Sequence, residues 1–254
     1  MKKPEVTLEN YEAVYEYYAQ YKQPRVGAYV GHKAMSLMFK PQVEYASGAE
    51  DAIQDLVRNP NARSIVALNH LSDNDQYVVA AMAQREKVLR PMAGNTFIQS
   101  KEVLFHHPNQ LLRPILRRGV DIMGAVPAFR KKDVTEGQED LRRAATAEMI
   151  RTSIDKLRAG QNMAIFPEGT RNKEQPETVQ GLKAGITAIA GEVAVTHEVA
   201  VVPVGFTYDG DKRHPHMWVG MPMADYTFDA VTFLPDLQER LQDAVDHARY
   251  SAAA

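Results

Sequence analysis

Two short segments combine titratable side chains with neighbours that could make them chemically active. In the first, Asn69-His70-Leu-Ser-Asp-Asn-Asp75, a carboxylate follows a histidine by five residues. If the chain turns tightly here from a strand into a helix, Asp75 can accept a hydrogen bond from one ring nitrogen of His70 and fix its tautomer. The other nitrogen can then remove a proton from a hydroxyl group. The pattern predicts a general base; alternatively, Asp75 only complements a helix dipole and His70 only caps a strand.

The second segment, Phe166-Pro-Glu-Gly-Thr-Arg171, has residue types that suit an anion. Gly169 permits a backbone with positive φ, and Thr170 offers a hydroxyl group. The planar donors of Arg171 fit a phosphate, and Glu168 could hold that guanidinium in place. The segment predicts an anion site, and the alternative is a polar surface loop with one salt bridge.

Further basic residues could join such a site. Lys183 lies shortly after the second segment, and a basic stretch precedes it. Clusters of this kind can hold a phosphate or approach an anionic membrane, although most charged runs are solvated surface. The stretch consists of Arg113, Arg117, Arg118, Arg130, Lys131 and Lys132.

Apolar runs that alternate with helical patterns predict an α/β fold, with a mostly parallel central sheet covered by helices. We expect buried strands at Ser64–Leu68, Met163–Phe166 and Val199–Thr207. Pro203 places the last of these at a sheet edge or a bulge, because proline cannot donate to a ladder. Both candidate segments follow the carboxyl end of a strand, where sites form in such sheets.

The first 42 residues predict an N-terminal element of two helices, Leu8–Lys22 and Arg25–Lys40, separated at Pro24. The second helix has an apolar stripe with basic residues near its ends, which is typical of helices that lie in a membrane interface. The alternative is that both helices simply pack on the domain that follows, residues 43–254.

Composition excludes several other classes of protein. The chain has 254 residues, a net charge of −2 and 44% apolar residues, which is typical of a globular protein and disfavours a generic nucleic-acid binder. It has no cysteine, which excludes disulfides, thiolate metal sites and a thiol nucleophile. No segment reaches the roughly 18 apolar residues that a spanning helix needs. The histidines do not follow a metal-binding pattern, and neither a P-loop nor a serine nucleophile elbow is present.

Four segments, in order, resemble the glycerolipid acyltransferase family, whose best-known members are the 1-acylglycerol-3-phosphate O-acyltransferases. They are the two described above together with Gly124–Arg130 and Val201–Gly205. The resemblance implies that His70 is the general base and that Asp75 orients it. It also implies that the phosphate of the acceptor is bound by Glu168, Gly169, Thr170 and Arg171, with help from Arg130 and with Lys183 as a further cation.

The implied reaction moves a fatty acyl chain from an acyl thioester to a hydroxyl of a lysophospholipid in phospholipid biosynthesis. The thioester is acyl-CoA or acyl-carrier protein as cosubstrate, and we expect no cofactor and no metal. Backbone N–H groups near the His70 turn are candidates for stabilising the oxyanion. We expect a cytoplasmic protein, peripheral at the inner face of the membrane, which it contacts through the N-terminal helices.

Several alternatives remain open at this point. The acceptor could be 1-acylglycerol-3-phosphate, glycerol-3-phosphate, another lysophospholipid or a glycolipid, and a transacylase would take its chain from a phospholipid. A thioesterase would use water instead of a hydroxyl acceptor. Outside enzymes, the chain could be a lipid-binding protein with a silent site.

Overall fold

The computed structural model describes residues 3–105, 113–131 and 134–253. Within these ranges one seven-stranded sheet has the order β1-β7-β6-β2-β5-β3-β4. Neighbouring strands run parallel, except that β6 and β7 are antiparallel. The predicted α/β class with a mostly parallel sheet is therefore confirmed. The strands are β1 (Gln42–Tyr45), β2 (Ala62–Leu68), β3 (Thr96–Lys101), β4 (Ala125–Ala128), β5 (Asn162–Ile165), β6 (Glu198–Thr207) and β7 (His216–Val219).

Helices cover the sheet, and the first two form the predicted N-terminal helical element. No helix in the described ranges is long and apolar enough to cross a membrane. The helices are α1 (Tyr11–Gln20), α2 (Arg25–Met38), α3 (Ala49–Arg58), α4 (Asp75–Arg85), α5 (Arg90–Ala93), α6 (Arg113–Ile122), α7 (Glu139–Arg158), α8 (Gly185–Ala194) and α9 (Phe233–Ala253).

The central strand β2 is buried on both faces of the sheet. Ile65 and Ala67 belong to one core layer, and Val66 and Leu68 belong to the other, because successive side chains of a strand point to opposite faces. Helices α1, α7, α8 and α9 contribute to the first layer, whereas α3, α4 and α5 contribute to the second. A strand covered on both sides reads as an unbroken apolar run, which is why β2 could be predicted.

Helix α1 is held tightly against the fold. The Tyr18 hydroxyl donates to Asp121 over 2.6 Å, and the ammonium of Lys156 donates to the carbonyl oxygens of Tyr18 and Tyr21 at 3.0 and 2.9 Å. Burial lowers the pKa of Lys156 to about 8. Since these contacts tie α1 to α6 and α7, this helix is part of the main core; the predicted boundary at residue 42 stays a prediction.

Helix α2 has two unlike faces. Ala28, His32 and Ser36 are buried, and the helix packs on α4. The opposite face is exposed and mainly apolar, with Lys33 as a charged residue within it. Its large exposed apolar side chains are Val26, Tyr29, Val30, Leu37 and Met38.

Strand β6 is an interior strand between β2 and β7, so of the two predicted places, a sheet edge or a bulge, the edge is wrong. Pro203 is tolerated because the antiparallel partner of β6 is interrupted there: Val201 bridges to Met223, and pairing with β7 begins at Val204. At Gly205 the backbone of α9 approaches so closely that a Cβ would lie 2.2 Å from it.

Candidate active site

The end of β2 and the start of α4 bring His70 and Asp75 into contact. The imidazole Nδ1 donates to Oδ2 of Asp75 over 2.8 Å. The same oxygen accepts the backbone N–H groups of Leu71 and Ser72 at 2.7 and 2.8 Å. Because the Asp75 carboxylate is fully buried and held by these donors, it fixes the ring and leaves Nε2 as the proton-accepting nitrogen.

Tyr208, which the sequence analysis did not single out, and Asn69, the first residue of the motif, complete this support. The Tyr208 hydroxyl, beyond the end of β6, donates to Oδ1 of Asp75 over 2.7 Å. Burial is the main cause of the raised pKa of Tyr208. Asn69 exchanges two hydrogen bonds with the backbone of Phe206, at 3.0 and 2.9 Å. The carboxyl ends of β2 and β6 are thus joined on both sides of the histidine.

Glu168 is placed differently from the prediction. It does not hold Arg171 and does not line the site cavity; its Oε1 accepts the N–H of His70 at 2.7 Å, and its Oε2 accepts the N–H of Gln180 at 2.9 Å. The side chain is buried, and burial is the main cause of its raised pKa. Glu168 therefore joins the two candidate loops, because a carboxylate is the acceptor that their inward-facing N–H groups require.

The loop after β5 also supports the ring of His70 directly. Phe166 stacks on the imidazole with a centroid distance of 4.4 Å and an interplanar angle of 18°. The N–H of Asn172 donates to the carbonyl of His70 over 2.7 Å. Gly169 adopts a φ of +69°, which allows the turn between these two contacts.

One cavity of about 350 Å³ is lined by the histidine and by the predicted anion-binding loop. It opens beyond the carboxyl ends of β2, β3 and β5, where sites of parallel sheets form. The predicted residues at its wall are His70, Arg130, Gly169, Thr170 and Arg171, and further ones are Asp73, Gln76, Lys101 and Lys131.

Other basic residues named in the sequence analysis lie elsewhere or outside the described residues. Lys183 is exposed, its N–H donates to the carbonyl of Pro167, and its aliphatic part packs beside Gly169. Arg117 donates to the carbonyl of Pro4 over 2.5 Å. The side chain of Arg113 and the whole of Lys132 are outside the described residues.

Two cations of the cavity share one carboxylate. Asp73 forms ion pairs with Lys101, at the end of β3, and with Arg171. The hydrogen bond from Lys101 is the main cause of the lowered pKa of Asp73. The carboxylate is half exposed, so water can solvate it if another anion takes its place.

A second, apolar cavity of about 860 Å³ adjoins the first one. Both cavities are lined by Gln76 and Leu104. The walls of the second come mainly from α2, α4, α6 and β3, and they include Val30, Met35, Met38, Tyr77, Ile98, Val120 and Ile122. A polar compartment with a base and cations thus opens next to an apolar one.

The backbone N–H groups around His70 already have acceptors within the protein. The N–H of His70 donates to Glu168, those of Leu71 and Ser72 donate to Asp75, and that of Asn74 donates to the Ser72 hydroxyl at 3.2 Å. These four N–H groups are therefore already engaged, and the expectation that the turn supplies a donor for the oxyanion stays a prediction. Across the described ranges, no group of three or more His, Asp or Glu side chains could hold a metal ion.

Two loops, one after β2 and one after β5, thus form the candidate active site of this α/β fold. A model of the Acyltransferase family matches residues 48–207, which include both candidate loops. Because the match covers more than half of the chain, the protein belongs to the acyltransferase family, the family of glycerolipid acyltransferases. The predicted family is therefore confirmed, and membership indicates an enzyme of the O-acyltransferase type. No curated protein of known function matches the chain significantly.

Proposed function

We propose that the protein transfers a fatty acyl chain from an acyl thioester to a hydroxyl of a lysophospholipid, 1-acylglycerol-3-phosphate, in phospholipid biosynthesis. The observation that carries the proposal is the shared cavity: His70, which is paired with the buried Asp75, and the cations Lys101 and Arg171 line one space of about 350 Å³. An acceptor whose phosphate group binds these cations has its hydroxyl in the same cavity as the base.

In the proposed reaction, Nε2 of His70 takes the proton of the acceptor hydroxyl as its oxygen attacks the thioester carbonyl. The imidazolium that forms is stabilised by the buried carboxylate of Asp75. When the tetrahedral intermediate collapses, the thiolate leaves and takes the proton back from His70. A thioester is a reactive electrophile, so the proposed steps need no cofactor or metal.

The cations provide affinity and orientation. Lys101, at the end of β3, and Arg171, in the loop after β5, converge on one anion, Asp73, in the free enzyme. A phosphate carries more charge than a carboxylate and offers three acceptor oxygens, so it can replace Asp73 between them. Arg130 lines the same cavity, and its guanidinium supports the same role. Binding the phosphate fixes the hydroxyl against His70, which converts remote binding energy into orientation.

The apolar cavity supports a long acyl chain as part of the substrate. It adjoins the polar cavity at Gln76 and Leu104, so a chain within it could present its carboxyl end to His70. Met35, Met38 and Val30 line this cavity, and the last two are also exposed on α2. These features support a helix that lies in the membrane interface and receives lipids there. We accordingly propose a peripheral protein at the cytoplasmic, inner face of the membrane.

A panel of donors and acceptors with the purified enzyme tests the reaction. Each acyl-CoA or acyl-carrier protein is paired with 1-acylglycerol-3-phosphate, glycerol-3-phosphate, a lysophospholipid without a free phosphate monoester, or water. We expect a diacylglycerol phosphate as the main product, detected by mass spectrometry. Release of free fatty acid in every pairing would instead indicate a thioesterase, and no turnover would indicate a silent site.

Arg171→Ala tests the anion site within the same panel. We expect the KM for the phosphorylated acceptor to rise by about tenfold or more, because a charge-assisted contact to phosphate contributes roughly 1.5–3 kcal/mol. Lys173→Ala, which removes a neighbouring exposed cation, is the control. Equal use of phosphorylated and phosphate-free acceptors by the wild type would refute the proposed clamp.

Leu37→Glu on α2 tests the membrane surface and leaves the buried face of the helix unchanged. We expect weaker co-sedimentation with anionic phospholipid vesicles, because a carboxylate replaces apolar surface in the interface. Val195→Glu, at an exposed aliphatic side chain outside α2, is the matched control. Equal co-sedimentation of the wild type and Leu37→Glu would indicate that α2 only packs on the rest of the fold and does not bind the membrane. Substitution is preferable to removal of the N-terminal element, because α1 contributes to the core.

A further inference from the structure

Among the described residues that line both cavities, Gln76 is the one with a polar side chain. Gln76 and Leu104 line the polar cavity and the apolar cavity alike. In the proposed reaction the acyl chain lies in the apolar cavity and its thioester reacts at His70, so the chain has to run beside these two side chains near its carbonyl end. The environment of that carbonyl oxygen is therefore set partly by Gln76.

Negative charge develops on this oxygen when the hydroxyl attacks, and a hydrogen-bond donor that points there lowers the barrier. The nearest backbone donors of the His70 turn are unsuited, because the N–H groups of His70, Leu71 and Ser72 point to buried carboxylates. The ammonium of Lys101 is paired with Asp73 and is proposed above to bind the phosphate of the acceptor. Among the side chains that line the polar cavity, the amide of Gln76 is the donor that also borders the apolar cavity.

The amide of Gln76 is held at its oxygen end. Its Oε1 accepts the hydroxyl of Ser100, on β3, over 3.2 Å. This contact uses the carbonyl end of the amide and leaves the Nε2 end to donate elsewhere. Gln76 also directly follows Asp75 in the first turn of α4, so the turn that holds the catalytic carboxylate also fixes the backbone of the amide.

We propose that Gln76 is a catalytic residue whose Nε2–H donates to the carbonyl oxygen of the acyl thioester and stabilises the oxyanion of the tetrahedral intermediate. This inference rests on the proposed acyl transfer. As the acceptor oxygen bonds to the carbonyl carbon, its proton passes to His70 and the carbonyl π electrons move to the oxygen beside Gln76. When the C=O bond re-forms, the C–S bond breaks, its electrons leave with sulfur, and the thiolate takes the proton from His70.

Gln76→Met tests the assignment, because methionine has a similar length and lacks the N–H donor. We expect kcat to fall by about 10²- to 10³-fold, the usual cost of losing one such donor. The KM for the acceptor should stay within about threefold, since the phosphate site is untouched. Gln76→Asn, which keeps an amide but withdraws it by one methylene, should also lose most of kcat. Gln54→Met, on α3 and away from both cavities, is the matched control and should retain full kcat.

The outcomes are separable. A kcat within about threefold of the wild type in either folded Gln76 variant would overturn the assignment. So would a change in preferred acyl-chain length with kcat retained, which would make Gln76 a steric part of the cavity wall. Melting temperatures of both variants show whether each is folded. Two different substitutions are made so that the assignment can still be tested if one variant does not fold. If the wild type itself gives no ester product, the proposed function fails; if only the Gln76 variants behave unexpectedly, this inference fails alone.

Discussion

Replacing Asp75 by asparagine separates the charge of the carboxylate from the hydrogen bonds that it makes. Oδ2 accepts three N–H donors, and Oδ1 accepts the Tyr208 hydroxyl. An asparagine can keep its oxygen at the first position and turn its NH₂ group toward Tyr208, whose oxygen can then accept. The variant should therefore fold, with a change in the free energy of unfolding of about 1 kcal/mol.

We expect the negative charge of Asp75 to contribute more to kcat than the hydrogen-bond geometry, which asparagine can preserve. Two unit charges about 4 Å apart interact by about 4 kcal/mol at the effective dielectric of a protein surface, near 20. Asp75 is fully buried, whereas about a quarter of the His70 side chain is exposed, so solvent screens part of this energy. Because each 1.36 kcal/mol changes a rate about tenfold, we expect kcat to fall by about 10²- to 10³-fold.

Stopped-time assays of ester formation over a range of acceptor concentrations, together with thermal unfolding, check this expectation. Asp140→Asn, at a side chain that is 97% exposed, is the matched control. A kcat within tenfold of the wild type would refute the argument that the charge stabilises an imidazolium. A loss of more than about 3 kcal/mol of stability would show instead that Asp75 mainly supports the fold.

Three further substitutions test neighbouring parts of the account. In Asp73→Asn, we expect the KM for the phosphorylated acceptor to fall about three- to tenfold, because no carboxylate competes for Lys101 and Arg171; a rise would make Asp73 a positioning residue. In Glu168→Gln, one buried N–H loses its acceptor, so we expect kcat to fall and stability to decrease by about 1–2 kcal/mol. A rise in the KM for the acceptor alone would contradict the placement of Glu168 outside the cavity. The folded pKa of Lys156, about 8, lies below its ordinary 10.5, so the unfolded chain binds more protons between these values. Urea unfolding should therefore show the wild type gaining stability relative to Lys156→Met from pH 8 to pH 10, and a constant difference would contradict the lowered pKa.

The strands β2, β5 and β6 in the middle of the sheet could be predicted from sequence, whereas β3 and the two edge strands could not. Strands β2 and β6 are unbroken apolar runs because both of their faces are buried. In contrast, β1 and β4 are four-residue strands at the two edges of the sheet, one half exposed and the other containing Pro127. Their patterns are too short to separate from loops. Pro203 pointed to a sheet edge or a bulge, although β6 is an interior strand. The irregularity that accommodates this proline depends on Met223, which lies far along the chain, so the local sequence could not show it.

Local contacts of the site were predictable, but contacts between distant residues were not. The pairing of His70 and Asp75 follows from a tight turn of five residues, and the structure brings them together as expected. Arg171 was expected to pair with Glu168, three residues away, but pairs with Asp73. Lys101 reaches that cluster from β3, a strand whose mixed polarity gave no clear pattern. Neither contact has a signature in the local sequence, because the sheet order creates both.

Ester formation by His70→Ala tests the central claim most directly. The purified variant is given acyl thioester and 1-acylglycerol-3-phosphate, and both the released thiol and the ester product are measured beside the wild type and the exposed control His214→Ala. General base catalysis typically contributes about 10²- to 10⁴-fold, so we predict a loss in this range for His70→Ala, with unchanged melting temperature and full activity in the control. Turnover by folded His70→Ala at the wild-type rate would contradict the account.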